Sequence, residues 1–119
     1  MDKFFDILFL HEAFEFLKSV DEKHYEKILY NIRKAQTQPD PELFKKLNND
    51  IWEFRTLYHG LQYRLLAFWD KTTEGNTLVV ATHGFVKKRT KVPVNEIQKA
   101  EKMRTKYFED KEKLKNRKR

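Results

Sequence analysis

Residues 51–69 read IWEFRTLYHGLQYRLLAFW, and this stretch decides the fold. Apolar and aromatic residues alternate on both sides of His59-Gly60, the pattern of two strands joined by a tight turn. With a two-residue turn, Tyr58 pairs with Leu61, and Arg55 falls directly opposite Arg64 on one face. Facing guanidiniums repel, so such a pair survives cheaply only where carboxylates or a bound anion neutralise it. Glu53 shares that face and could neutralise one of the two as an ordinary surface pair. The reading preferred here is an anion site. A three-residue turn would send Arg55 to the other face. As a residue of a polar face, Arg64 is expected to pack little.

Working outward, TLVVATH (77–83) forms a third strand after the hairpin-sized segment DKTTEGN (70–76), giving an antiparallel meander. One register of this second hairpin sets His83 opposite Arg64, and a slip of one residue pairs Arg64 with Thr82 instead. On the N-terminal side FFDILFL (4–10) reads as a strand. Ala13, Phe14, Phe16, Leu17 and Val20 mark a short helix. Asp21 is placed to cap a second, striped by Tyr25, Ile28, Leu29, Ile32 and Ala35. Pro39 and Pro41 close the helical region. Pro93 and Asn95 open a last helix with Ile97, Ala100, Tyr107 and Phe108 inward. The order β-α-α-β-β-β-α predicts an α+β domain over residues 1–110, its sheet packed by two N-terminal helices and a C-terminal helix. Residues 111–119 form a basic tail without an apolar stripe, expected to fray.

At 119 residues the chain has room for one core, and 14% aromatic content supplies it despite 36% charged residues. The lack of cysteine excludes a disulfide scaffold, a thiolate nucleophile and Cys-ligated zinc or iron–sulfur sites. No carboxylate cluster or HxH-type ligand set is visible, so neither metal nor cofactor is expected. Asp6 interrupts the apolar start MDKFFDILFL, and no 18-residue uncharged apolar run follows, so the expectation is a cytoplasmic protein without a membrane partner.

The net charge of +7 is unevenly spread. Residues 1–82 carry 11 Lys+Arg and 13 Asp+Glu, whereas residues 83–119 carry 14 and 5. A positive field concentrated in HGFVKKRTK and the tail favours a polyanionic partner, though a solvated basic helix would have the same composition. His83 ends the third strand beside Lys87, Lys88, Arg89 and Lys91. A histidine among cations can serve RNA cleavage through the ribose 2′-OH. It moves a proton near neutrality while the cations hold charge building on the phosphorane. A strand-end histidine is more often a structural hydrogen-bonding residue. His11, His24 and His59 offer no comparable setting.

The series KKLNNDIWEFR, QYRLLAF and ATHGFVKKRTKVPVNEIQKA, after two helices, resembles the phage-derived, HigB-like branch of the RelE/ParE toxin superfamily over residues 3–108. The resemblance implies the same small fold and a type II toxin that cleaves mRNA on the translating ribosome, beside ribosomal RNA. It also implies silencing by a cognate antitoxin, here of the helix-turn-helix, HigA-like kind. It implies catalytic roles for Arg64, Arg55, His83 and Lys88, while the charge of the basic run leads to the expectation of RNA contacts by Lys87, Lys88, Arg89 and Lys91. Ile51 and Glu53 stand where RelE carries two lysines, and the C-terminal tyrosine of RelE has no matched counterpart, although Tyr107 lies on the last helix. The superfamily also contains ParE-like inhibitors of DNA gyrase that cleave nothing, and a non-catalytic basic nucleic-acid-binding module is a further alternative.

Overall fold

A computed structural model describes residues 3–88 and 90–117. Strand β1 (Asp6–Phe9) leads into helices α1 (His11–Ser19) and α2 (Glu22–Thr37). Strands β2 (Phe44–Lys46), β3 (Trp52–Tyr58), β4 (Leu61–Asp70) and β5 (Leu78–Lys87) follow, and helix α3 (Val94–Arg117) comes last. They form a five-stranded sheet in the order β1-β5-β4-β3-β2. β1 runs parallel to β5, and the other neighbours are antiparallel.

The α+β class and the β3-β4-β5 meander match the expectation, with three differences. Strand β2 is additional: FKK has no apolar alternation, and its place is fixed by Phe44 stacking on Phe54 at 4.3 Å and on Trp52 at 4.9 Å. Strand β1 is not part of the meander but an edge strand on β5, reached through the two helices that follow it. Helix α3 continues through Arg117, past residue 111 where the apolar stripe ends, and its residues 112–117 are exposed.

Side-chain alternation divides the sheet into two faces. Phe54, Tyr63, Leu65, Ala67, Val79 and Ala81 pack against Leu17 of α1 and Ile28, Ile32 and Ala35 of α2. On the other face Leu66, Phe68 and Val80, together with Ile51, pack against Ala100, flanked by Ile97, Tyr107 and Phe108 of α3. Burying each large side chain contributes about 1.5–3 kcal/mol, so the small α3 contact is well anchored. α1 lies so close to β5 that a Cβ on Gly84 would overlap the Phe16 ring.

The two hairpins set which side chains share the face of the arginines. His59 (φ 51°) and Gly60 (φ 74°) both adopt positive φ, the signature of a two-residue type I′ turn. Tyr58 therefore pairs with Leu61 and Arg55 with Arg64, as the two-residue turn requires. Both registers considered for the second hairpin are corrected: Arg64 pairs with Phe85, and His83 with Leu66. Thr82 is the extra residue of a β-bulge between the Leu66–His83 and Ala67–Ala81 pairs, and its hydroxyl donates to the Leu66 carbonyl at 3.2 Å. An unbulged ladder continuing from Ala67–Ala81 would set His83 opposite Leu65, toward α1 and α2. The bulge turns the end of β5 over, so that His83, Phe85 and Lys87 share the face of Arg64.

Candidate functional site

Helix α3 covers only one end of its face of the sheet. At the other end, by the β3–β4 hairpin, Leu57 is 67% exposed on the Arg55 face, and Gln62 is also exposed. The uncovered end carries Lys45 from β2, Glu53 and Arg55 from β3, Arg64 from β4 and Lys87 from β5. Lys45 pairs with Glu53 in the ladder, Arg55 with Arg64, and Gln62 with Lys87. Four strands thus deliver charge to one small area.

Glu53 is the pivot. Its carboxylate is 4% exposed, with Oε1 3.1 Å from Arg64 Nε and Oε2 3.7 Å from Arg55 Nε. Arg64 is only 3% exposed; its Nη1 donates to the Tyr63 carbonyl at 3.0 Å and its Nη2 to Gln62 Oε1 at 2.9 Å. It is therefore a buried, oriented cation, not the lightly packed surface residue expected from the sequence. Arg55 is the more accessible guanidinium, with Nη1 donating to the Pro41 carbonyl at 3.3 Å and 3.8 Å from Glu42. Glu53 Oε1, Arg55 Nε and Arg64 Nε are buried without an aligned hydrogen bond. Their attraction is coulombic and leaves directional donor capacity unused.

Burial lowers the pKa of Lys87, and the neighbouring Arg64, Arg55 and Lys45 add to that effect against Glu53. Burial likewise lowers the pKa of Arg64, opposed by Glu53, though a guanidinium stays charged near neutrality. Lys45, Arg55, Arg64 and Lys87 are four cations against the two carboxylates Glu53 and Glu42, a balance of +2. The electrostatic need is an anion with several oxygens, which a phosphodiester satisfies.

The remaining sequence candidates fall in different settings. His83 lies on the Arg64 face but is buried, with Nδ1 3.0 Å from Thr82 Oγ1 and Nε2 3.1 Å from Glu96 Oε1 of α3. Burial lowers its pKa, opposed by the hydrogen bond to Glu96. Through Glu96 the ring bridges β5 to α3. Lys88 and Lys91 are exposed in the connection from β5 to α3. Arg89 lies outside the described residues. Tyr107 belongs to another network: it donates to the fully buried Asp70 at 2.6 Å, as do Lys111 Nζ at 2.6 Å and Thr72 at 2.6 and 2.9 Å. Burial alone would raise the Asp70 carboxyl, but these hydrogen bonds hold it far below the carboxylate range. Asp70 stands six strand positions from Arg64, about 20 Å away.

Sequence reasoning missed Lys45, whose strand was not recognised, and the buried state of Glu53. It also passed over a cluster by the turn, where His24 Nδ1 lies 2.6 Å from Tyr63 Oη and the His24 ring is 5.5 Å from that of His59.

The sheet order, the paired helices on one face and the single helix on the other define a small RelE-like α+β domain. Residues 15–105, from α1 to within α3, match the family model for phage-derived Gp49-like proteins, a family of RelE/ParE-like toxins, and the chain belongs to it. No curated protein matches the sequence. Among the described residues, no helix is long and apolar enough to cross a membrane.

Proposed function

We propose that this protein is the HigB-like toxin of a type II toxin–antitoxin system and acts as an mRNA endoribonuclease on the translating ribosome. The observation that carries the reading is the excess positive charge of Arg55, Arg64 and Lys87 around one buried carboxylate, on the part of the sheet α3 leaves open. In this reading the ribose 2′-oxygen attacks the adjacent phosphorus, its proton leaves, and the 5′-oxygen departs with a proton, leaving a 2′,3′-cyclic phosphate. Arg64, held by Glu53 and Gln62, and the more accessible Arg55 stabilise the charge developing on the phosphoryl oxygens. Lys87 is the titratable side chain on the open face whose proton is loosened by its surroundings, which suits it to proton transfer. His83 serves as a positioning residue that fixes the bulged end of β5 against α3. Lys88 and Lys91 extend the positive surface toward ribosomal or messenger RNA, and Arg89 of the same sequence run is expected to add to its charge.

The cognate antitoxin in this reading is a helix-turn-helix protein that docks away from the arginines. A cavity of about 690 Å³ between α1, α2 and β1, lined by Phe14, Leu17, Tyr25 and Leu29, supports such an arrangement. Gyrase inhibition is the competing activity, and it gives no reason for guanidiniums to converge on one face. Parallel assays of reporter translation and of DNA gyrase supercoiling test the choice. Translation inhibition with unaffected supercoiling is expected; the reverse would establish the gyrase reading.

A further inference from the structure

The protein's two tryptophans, 17 positions apart in sequence, come together at the sheet end opposite the β3–β4 hairpin. Trp52 and Trp69 have ring centroids 6.1 Å apart, edge to face. With Phe108 of α3 they line a cleft of about 690 Å³, rimmed by Lys46, Lys71 and Arg104. Both indoles are only partly buried, and the two lysines are exposed. Asp50 is engaged by Arg104 at 3.6 Å, and no ion pair to Lys46 or Lys71 occurs among the described residues. Aromatic walls under a cationic rim suit a nucleobase flanked by phosphates.

The position of the cleft strengthens this match. Strand β2 is the edge of the sheet, and its consecutive Lys45 and Lys46 point to opposite faces. Lys45 pairs with Glu53 beside the arginine site, while Lys46 pairs with Trp52 and lines the cleft. The two lysines mark a cationic path over the sheet edge from one site to the other.

We propose that the Trp52–Trp69 cleft is a second RNA-contact site. It holds a base of single-stranded RNA whose phosphates cross the β2 edge at Lys45 and Lys46. The inference rests on the nuclease reading for its choice of RNA, but its test needs no cleavage. Because Trp52 and Trp69 are the only tryptophans, intrinsic tryptophan fluorescence reports this cleft directly. The probe is a short single-stranded RNA carrying a terminal dye, followed at once by dye anisotropy, which reads binding anywhere, and by tryptophan emission. Ribosome-dependent cleavage is scored separately, so loss of that activity with the fluorescence response retained would overturn the nuclease reading alone.

Coincident saturation of both signals is expected. The surface pair Lys46→Glu/Lys71→Glu should weaken binding by at least tenfold. It should also reduce the log–log salt slope by about 1.4, at roughly 0.7 for each lost single-strand phosphate contact. Anisotropy change without a tryptophan response, or no binding of either kind, would overturn the proposal. So would a response to proline-rich or acidic peptides but not to RNA, which would identify a protein-docking cleft.

Discussion

Arg55 and Arg64 face each other across the β3–β4 ladder and reach different oxygens of one buried carboxylate, Glu53. The carboxylate relieves the repulsion and ties the two guanidiniums together. The two arginines nevertheless differ in burial, at 23% and 3% side-chain exposure, so their removal should have different consequences.

Arg64→Ala should lower stability as well as activity, because it strips a buried carboxylate of its nearest partner. The expected loss is about 3 kcal/mol. Arg55→Ala should cost under about 1 kcal/mol in stability while slowing cleavage roughly 10²-fold, the effect of losing one contact to an anionic transition state. Urea unfolding of both proteins and of Arg64→Ala/Glu53→Gln checks this. The double variant should recover much of the lost stability, and a double variant no more stable than Arg64→Ala would break the link to Glu53.

Gly84→Ala should destabilise the fold by about 1–3 kcal/mol, since the added methyl group must displace Phe16 and with it α1. A second change, Phe16→Leu, makes room and should restore part of the loss. Thermal melting of the two proteins reads the difference; identical melting temperatures would mean that α1 does not press on β5 at this point.

His83 should make stability fall on mild acidification. Its pKa is lowered in the folded state, so the unfolded chain binds the proton first. The contribution is complete above the unfolded value near 6.5 and is lost as pH falls through that value toward the folded one. Urea midpoints between pH 7.5 and 5 should fall for the parent and be flatter for His83→Gln. A parent midpoint that rises on acidification by a His83-dependent amount would reverse the assignment of charge.

Tyr107→Phe should cost about 1 kcal/mol by removing one hydrogen bond to Asp70, without changing cleavage. Calorimetry and cleavage assays on the same preparation separate the two. A large loss of activity with unchanged stability would place Tyr107 in the reaction despite its distance from Arg64.

The first hairpin was legible because its information is local: alternation, a turn able to adopt positive φ, and a register that two residues fix. The second was not. A one-residue bulge at Thr82 leaves no hydrophobic signature, yet it decides which face carries His83, Phe85 and Lys87. Strand β2 escaped notice because two of its three residues are lysines and its stability comes from aromatic stacking on β3. The arginine pair could be found by pairing residues along the sequence. The burial of Arg64 and Glu53 could not, because it depends on neighbouring strands that set Phe85 of β5 opposite Arg64 and Lys45 of β2 opposite Glu53.

The central claim is that the Arg55–Arg64–Lys87 face cuts ribosome-bound mRNA. Primer extension on a defined message in a purified translation system, with wild-type and Arg55→Ala proteins, tests it most directly. Discrete cuts that require ribosomes and fall about 10²-fold in the variant are the predicted result. Full-length message with the wild-type protein, or undiminished cutting by folded Arg55→Ala, would contradict it.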